Sequence, residues 1–280
     1  MDNISDIVTK NAGQVSIPTK SLIEFTLHLA DTTLILGHRN SEWTGHGPVL
    51  EQDIAISNIA LDLIGQARNF YQYAASLINQ NPGLYPFEFN YDRPVTEDDL
   101  AYLRDVFEYK NHLLCEQPNG DWAQTILRQF YFSVWQYFFY GQLVKSADQQ
   151  LSAIAEKSLK ETTYHVRWSS EWVIRLGDGT EESQKRMFEA ISNLQNFYGE
   201  FFKPAPFEKD LVEGGVSVEV RSLKVEWDKK VNEIFEEATL PFTPAKWSQA
   251  GGKTGVHTEH LGFILAEMQF LQRAYPNSIW

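Results

Sequence analysis

The stretch that decides the fold is Glu51–Leu77, EQDIAISNIALDLIGQARNFYQYAASL. It has no proline and a single glycine. Ile56, Leu63, Phe70 and Leu77 recur every seven residues, and Ala60, Ala67 and Ala74 form a second seven-spaced row half a heptad away. Two such rows make the seam of a long helix packed nearly parallel or antiparallel to others in a bundle. Asn58, Asp62, Gln66 and Asn69 form a polar stripe beside the seam. A bundle builds its metal or cofactor site on such a stripe.

Working outward, the sequence predicts further helices. Ser21–Arg39 carries Leu22, Phe25, Leu29, Thr33 and Leu36 at helical spacing, and the glycines and proline of Asn40–Pro48 break it. The opening helix runs from about Leu50 to Asn79. Thr96–Leu114 reads as a helix with an acidic first turn. Trp122–Val144, capped by Asp121, is apolar nearly all round, so it is expected in the bundle interior or under another chain. Gln149–Leu176, Ser183–Phe202, Val220–Ala238 and His257–Tyr275 complete the set. Lys209–Ser217 and Leu240–Val256 read as loops, and no alternating strand pattern occurs. The four longest helices form two hairpins joined by a long crossover, which is the ferritin-like arrangement. The expectation is an all-α, ferritin-like four-helix bundle with additional C-terminal helices. It is one domain over 1–280, with residues 1–20 a loose N-terminal tail.

Composition narrows the function. The chain has 280 residues, 43% of them apolar, with a formal charge of −13. That charge repels phosphate backbones and argues against nucleic acid. The single cysteine, Cys115, forbids an internal disulfide and suits a reducing compartment. The first residues lack a signal peptide's basic start and apolar core, and no apolar run approaches a membrane span. A cytoplasmic protein without membrane contact is expected. Aromatic residues, 14% of the chain with eight tryptophans, suit either a large core or a partner surface.

A di-iron bundle needs Glu-x-x-His on two helices and a Glu from each of two others. None of the seven histidines has Glu or Asp three residues before it, and Trp122–Val144 contains no carboxylate. Glu24/His28, Glu42/His46, Glu108/His112 and Glu161/His165 are four apart and read as hydrogen-bonded pairs on helix surfaces. His257, Glu259 and His260 look like half a metal site but lack the zinc-hydrolase order, and read as a polar helix start pinned to a neighbour or partner. Gly252-Lys253-Thr254 matches only the end of a phosphate-binding loop.

Four segments carry a resemblance: LADTTLILGHRNSEWTGHGPVLEQDIAISNIALDLIGQARNFYQYAA, EQPNGDWAQTILRQF, LKETTYHVRWSSEWVIRLGDGT and GGKTGVHTEHLGFILAEMQFLQR. Together they resemble the PaaC-type subunits of bacterial phenylacetyl-CoA epoxidases, multicomponent oxygenases that form the ring 1,2-epoxide. The resemblance implies a ferritin-like subunit with no cofactor of its own. It would pair with a homologous PaaA-type catalytic subunit that holds the di-iron centre, and an NADPH-fed reductase subunit would join the complex. It also places Leu63 and Thr162 where the catalytic relative has the Glu of each Glu-x-x-His, and Gln66 and His165 where it has the His. Asp31, Asp62, Leu63, Gln66, Thr162 and His165 are then the remains of a metal region. Two rivals stand beside this reading. One is a cryptic metal site at Asp31, Asp62 and His165, or at His257 and His260. The other is an acyl-CoA-binding module gripping its ligand with Asn58, Asp62 and Gln66. A homodimer of the isolated chain is also compatible.

Overall fold

The structure is a computed structural model that describes residues 18–85, 93–244, 246–275 and 278. Most of the expected N-terminal tail, 1–17, lies outside them. In chain order the helices are α1 (Thr19–Ser41), α2 (Leu50–Gln80), α3 (Glu97–Tyr102), α4 (Leu113–Glu116), α5 (Trp122–Leu143) and α6 (Gln149–Gly177). They continue with α7 (Glu181–Leu194), α8 (Glu208–Glu213), α9 (Lys224–Glu237), α10 (Glu259–Met268) and α11 (Phe270–Ala274). No strand occurs among the described residues.

The two hairpins are α1 with α2 and α5 with α6. Both seven-spaced rows of α2 are buried. Gly37 lets α1 approach α2 closely, because a Cβ there would meet Ile64 Cγ1 at 2.9 Å. Asp121 caps α5 by accepting the Gln124 N–H at 3.0 Å, and Asp148 caps α6 from Leu151 N–H at 2.9 Å. Trp168 and Trp172 both donate to Gln52 Oε1, which ties α6 to the start of α2. The fold is all-α and ferritin-like, and the described part of the crossover between the hairpins covers 81–85 and 93–121.

The aromatic residues fill the interior. Sixteen of the 22 residues of α5 are buried. Much of its outer side is covered by this chain's own later elements. Trp135 stacks on Phe201 with ring centroids 5.1 Å apart, and Tyr198 stacks on Trp227 at 4.7 Å. Trp227 in turn donates its indole N–H to the Tyr131 carbonyl at 3.0 Å. Tyr198–Phe202 is a 3-10 turn, so the helix expected over 183–202 ends at Leu194.

Two further expectations need correction. The helix predicted over 96–114 stops at Tyr102, and only a 3-10 turn at Val106–Glu108 and the one-turn α4 follow. The reason is tertiary. Residues 103–112 cross α1, where Lys110 N–H donates to the Asp31 carboxylate at 2.8 Å and His112 N–H to Thr32 Oγ1 at 3.3 Å. A continuous helix would keep those amides for itself. The loop predicted over 209–217 contains α8, which ends at the glycine pair Gly214-Gly215.

Candidate functional site

Two residues of the polar stripe of α2, Asp62 and Gln66, meet α5 and α6. Gln66 is its centre. Its Nε2 donates to Glu161 Oε2 at 2.9 Å, and its Oε1 accepts from Gln136 Nε2 at 3.0 Å and from the Tyr140 hydroxyl at 3.2 Å. Gln136 Nε2 also lies 3.1 Å from Tyr140 Oη. The Thr162 hydroxyl shares its hydrogen between Gln136 Oε1 at 3.2 Å and the Ser158 carbonyl at 2.9 Å. Gln66, Gln136, Tyr140 and Thr162 are buried. Burial is the main cause that pushes the Tyr140 phenol well above its ordinary pKa, so it stays neutral and donates.

One turn away, His165 Nε2 meets Asp62 Oδ2 at 3.0 Å. The imidazole is buried and its Nδ1 has no hydrogen-bond partner, while Asp62 reaches the surface. Leu63 is fully buried among apolar side chains. Gln66 and Thr162 therefore join one network through Gln136, and Asp62 and His165 form a pair beside it. Asn58 is exposed, and the amide of Gln66 is already engaged, so Asn58, Asp62 and Gln66 do not form one grip for a ligand.

Asp31 is held separately. Both its oxygens are bonded to the guanidinium of Arg104, and neither side chain is exposed. Oδ1 also accepts from Tyr71 Oη at 2.6 Å. The guanidinium lies over the rings of Tyr109, 4.3 Å from the centroid, and Tyr71, 5.6 Å away. Burial alone would lower the pKa of Arg104, but the Asp31 charge overrides it and the net direction is upward. Arg104 therefore supplies the positive charge that a buried carboxylate needs.

Iron in such bundles is bound by carboxylates and imidazole. The groups converging on Gln66 are a second amide, a phenol and, through Gln136, a hydroxyl, with Glu161 as the carboxylate touching them. That donor set does not fit a di-iron centre. Among the described residues, no three His, Cys, Asp or Glu side chains come together as a metal would require.

The start of the last helix is pinned by one residue of the predicted cluster. His257 Nδ1 donates to Glu116 Oε2 and Nε2 to the Tyr109 carbonyl, both at 2.9 Å. Burial pulls its pKa down, yet the Glu116 hydrogen bond and charge and the Tyr109 carbonyl outweigh it, so the net direction is upward. Glu259 is exposed and His260 half-buried. None of the four Glu/His pairs at four-residue spacing bonds within itself. Glu24 faces Lys110, Glu42 faces Arg39, Glu108 accepts from Asp105 N–H and Glu161 from Gln66. The helix-surface reading fails because each carboxylate finds a cation or N–H outside its own pair.

Sequence reasoning missed three buried acids. Glu116 accepts from His257, Asn111 and both donors of Thr258. Glu200 accepts the backbone N–H groups of Leu113, Gly251 and Gly252 at 2.7–2.8 Å. A Cβ at Gly252 would lie 2.1 Å from the Asn111 carbonyl, so only glycine permits that approach. Glu208 pairs with Lys253, whose Nζ is 3.0 Å from both carboxylate oxygens. Lys253 is thus a core lysine and not a phosphate ligand. The GGKTGVHTEH run was the available signal: its glycines, lysine and first histidine turn inward to these acids. Cys115 is buried, and burial pushes its thiol pKa up.

No helix among the described residues is long and apolar enough to cross a membrane. The sequence matches the family described as Phenylacetic acid catabolic protein over residues 6–280. It is 43% identical over 259 residues to the C subunit of the 1,2-phenylacetyl-CoA epoxidase of Escherichia coli (strain K12), covering 92% of this chain and 99% of that protein. On a match of that extent, the chain belongs to the phenylacetic acid catabolic protein family.

Proposed function

We propose that this chain is a non-catalytic, metal-free structural subunit of a phenylacetyl-CoA epoxidase. It pairs with and stabilises a homologous di-iron catalytic subunit, with a reductase subunit joining the assembly. The observation that carries this reading is the network of Gln66, Gln136, Tyr140 and Thr162. It fills the bundle centre with neutral groups that touch one carboxylate, Glu161, where an oxygen-activating relative needs several charged ligands. The relative from Escherichia coli is named as one subunit of an epoxidase, which supports a place in a multi-subunit oxygenase.

The test is co-expression with the catalytic subunit of the same epoxidase. Size exclusion with light scattering should give one complex larger than either chain. Metal analysis should place iron in the pair and none above trace in this chain alone. Two separate monomers, or stoichiometric iron in the isolated chain, would overturn the reading.

A further inference from the structure

A groove of about 430 Å3 opens where α9 meets the α5–α6 hairpin. α5 supplies Val134, Tyr137 and Phe138 to its wall, α6 supplies Val166 and Ile174, and α9 supplies Ile234. Small-molecule sites measure roughly 300–1,000 Å3 and are walled mostly by apolar side chains with a few polar groups. The groove has that build, toward the small end of the range. None of Gln66, Gln136, Tyr140 and Thr162 lines it.

On α6 the lining follows one helical face, with Val166, Ser170 and Ile174 at four-residue steps. Ser170 is 7% exposed, and among the described residues its hydroxyl has no hydrogen-bond partner. Its neighbours on the same helix are satisfied. Thr162, Thr163 and Ser169 each donate back to the carbonyl four residues earlier, at 2.7–2.9 Å. An orphaned buried hydroxyl lowers stability, and alanine would fill the position without that cost. Packing therefore gives no reason for the serine, whereas a polar group entering the groove does. Charge along the groove is balanced. Arg167 Nε lies 3.1 Å from Glu171 Oε1, and Lys230 Nζ lies 3.1 Å from Glu233 Oε1. With each cation beside a carboxylate, an ion of either sign would shed its hydration against the apolar wall without gaining a free counter-charge.

We propose that the groove between α5, α6 and α9 binds a small uncharged molecule with an apolar body and a single hydroxyl or amide group, which hydrogen-bonds to Ser170. The proposal does not depend on the structural-subunit reading above. Its test uses the full chain with labelled isoleucine and valine methyl groups, followed by NMR. The probes are 1-hexanol, hexanoate and hexylammonium, which share one apolar body and differ in charge. Hexanol should move the methyl signals of Val134, Val166, Ile174 and Ile234 along one saturable curve. The two ions should bind at least about tenfold more weakly. Ser170→Ala should weaken hexanol about fivefold, the loss of one hydrogen bond, while melting at or above the wild-type temperature.

Equal affinity for either ion would overturn the proposal, because the groove would then not select an uncharged ligand. Unchanged hexanol affinity in Ser170→Ala would overturn it too, since the groove would take up apolar surface without using the hydroxyl. A Ser170→Ala chain that melts below wild type would show that the hydroxyl serves the fold, with the same result. Groove methyls that ignore hexanol, or that move only when a dimer of this chain is diluted apart, would mean that the groove is closed or covered by a second copy, and the proposal would fail.

Discussion

Arg104 and Asp31 meet inside the molecule with neither side chain exposed, and the two residues come from opposite sides of the long α2 helix in the sequence. The pair joins the first bundle helix to the irregular chain that crosses it. Replacing Arg104 with Met leaves Asp31 charged and buried with only Tyr71 and the Lys110 amide as donors. We expect a loss of about 3–5 kcal/mol in urea unfolding. Asp31→Leu in the same chain should recover most of that loss, because the uncompensated charge is then gone.

Gln66 satisfies three other side chains at once. Gln66→Leu strips the acceptor from Gln136 and Tyr140 and the donor from Glu161. Two of these groups are buried, and the expected cost is about 2–4 kcal/mol. Denaturant midpoints for the single variant and for Gln66→Leu with Gln136→Leu measure it. The double variant should cost less than the sum of the singles, since it removes both ends of one bond.

His257 provides a pH test. Its folded pKa is raised, so the protonated clasp on Glu116 stabilises fully below the unfolded value of 6.5 and fades as pH rises through the folded pKa. His257→Gln should cost about 1.5–3 kcal/mol at pH ~6, with the difference from wild type shrinking toward pH ~8.5. Equal differences at both values would show that the clasp is uncharged.

His112 acts in the opposite direction. Its ring is boxed by His28, Trp135 and Phe201, with centroids 4.7–4.9 Å away, and neither nitrogen has a hydrogen-bond partner. The Glu200 carboxylate stands 3.7 Å from Nδ1, too far to hold a proton there. Burial, then the positive charge of Lys253, hold the His112 pKa well below 6.5. A depressed base stabilises above its unfolded pKa, and that contribution is lost as pH falls below about 6.5. His112→Phe should therefore flatten the stability profile between pH ~5 and ~6.5. An unchanged acid limb would place the acid sensitivity elsewhere.

The long helices were legible because their signals are local and repeated. The seam of α2, the glycines and proline after α1 and the Asp121 cap place the two hairpins within about two residues of where they lie. The break after Tyr102 was not legible. Its segment, LRDVFEYKNH, has no proline or glycine, and what ends the helix is Asp31, far away in sequence. At the bundle centre Gln66 was found from the polar stripe of α2, and Thr162 and His165 from the resemblance to the PaaC-type subunits. Gln136 and Tyr140 were missed, because α5 was scanned for carboxylates and the residues that matter there are neutral. The four Glu/His pairs show the converse: correct helical spacing on paper, with every carboxylate claimed by a group other than its histidine.

The stretch from Leu103 to Glu116 holds only two isolated helical turns, yet it brings an amide to Asp31, an amide to Glu200 and a carboxylate to His257 and Thr258. Usual expectations about where a fold can be cut are therefore reversed. A peptide tag spliced in after Gly45, in the exposed turn between α1 and α2, should be carried without harm, whereas the same tag after Lys110 should prevent the chain from folding, although both points look like loops.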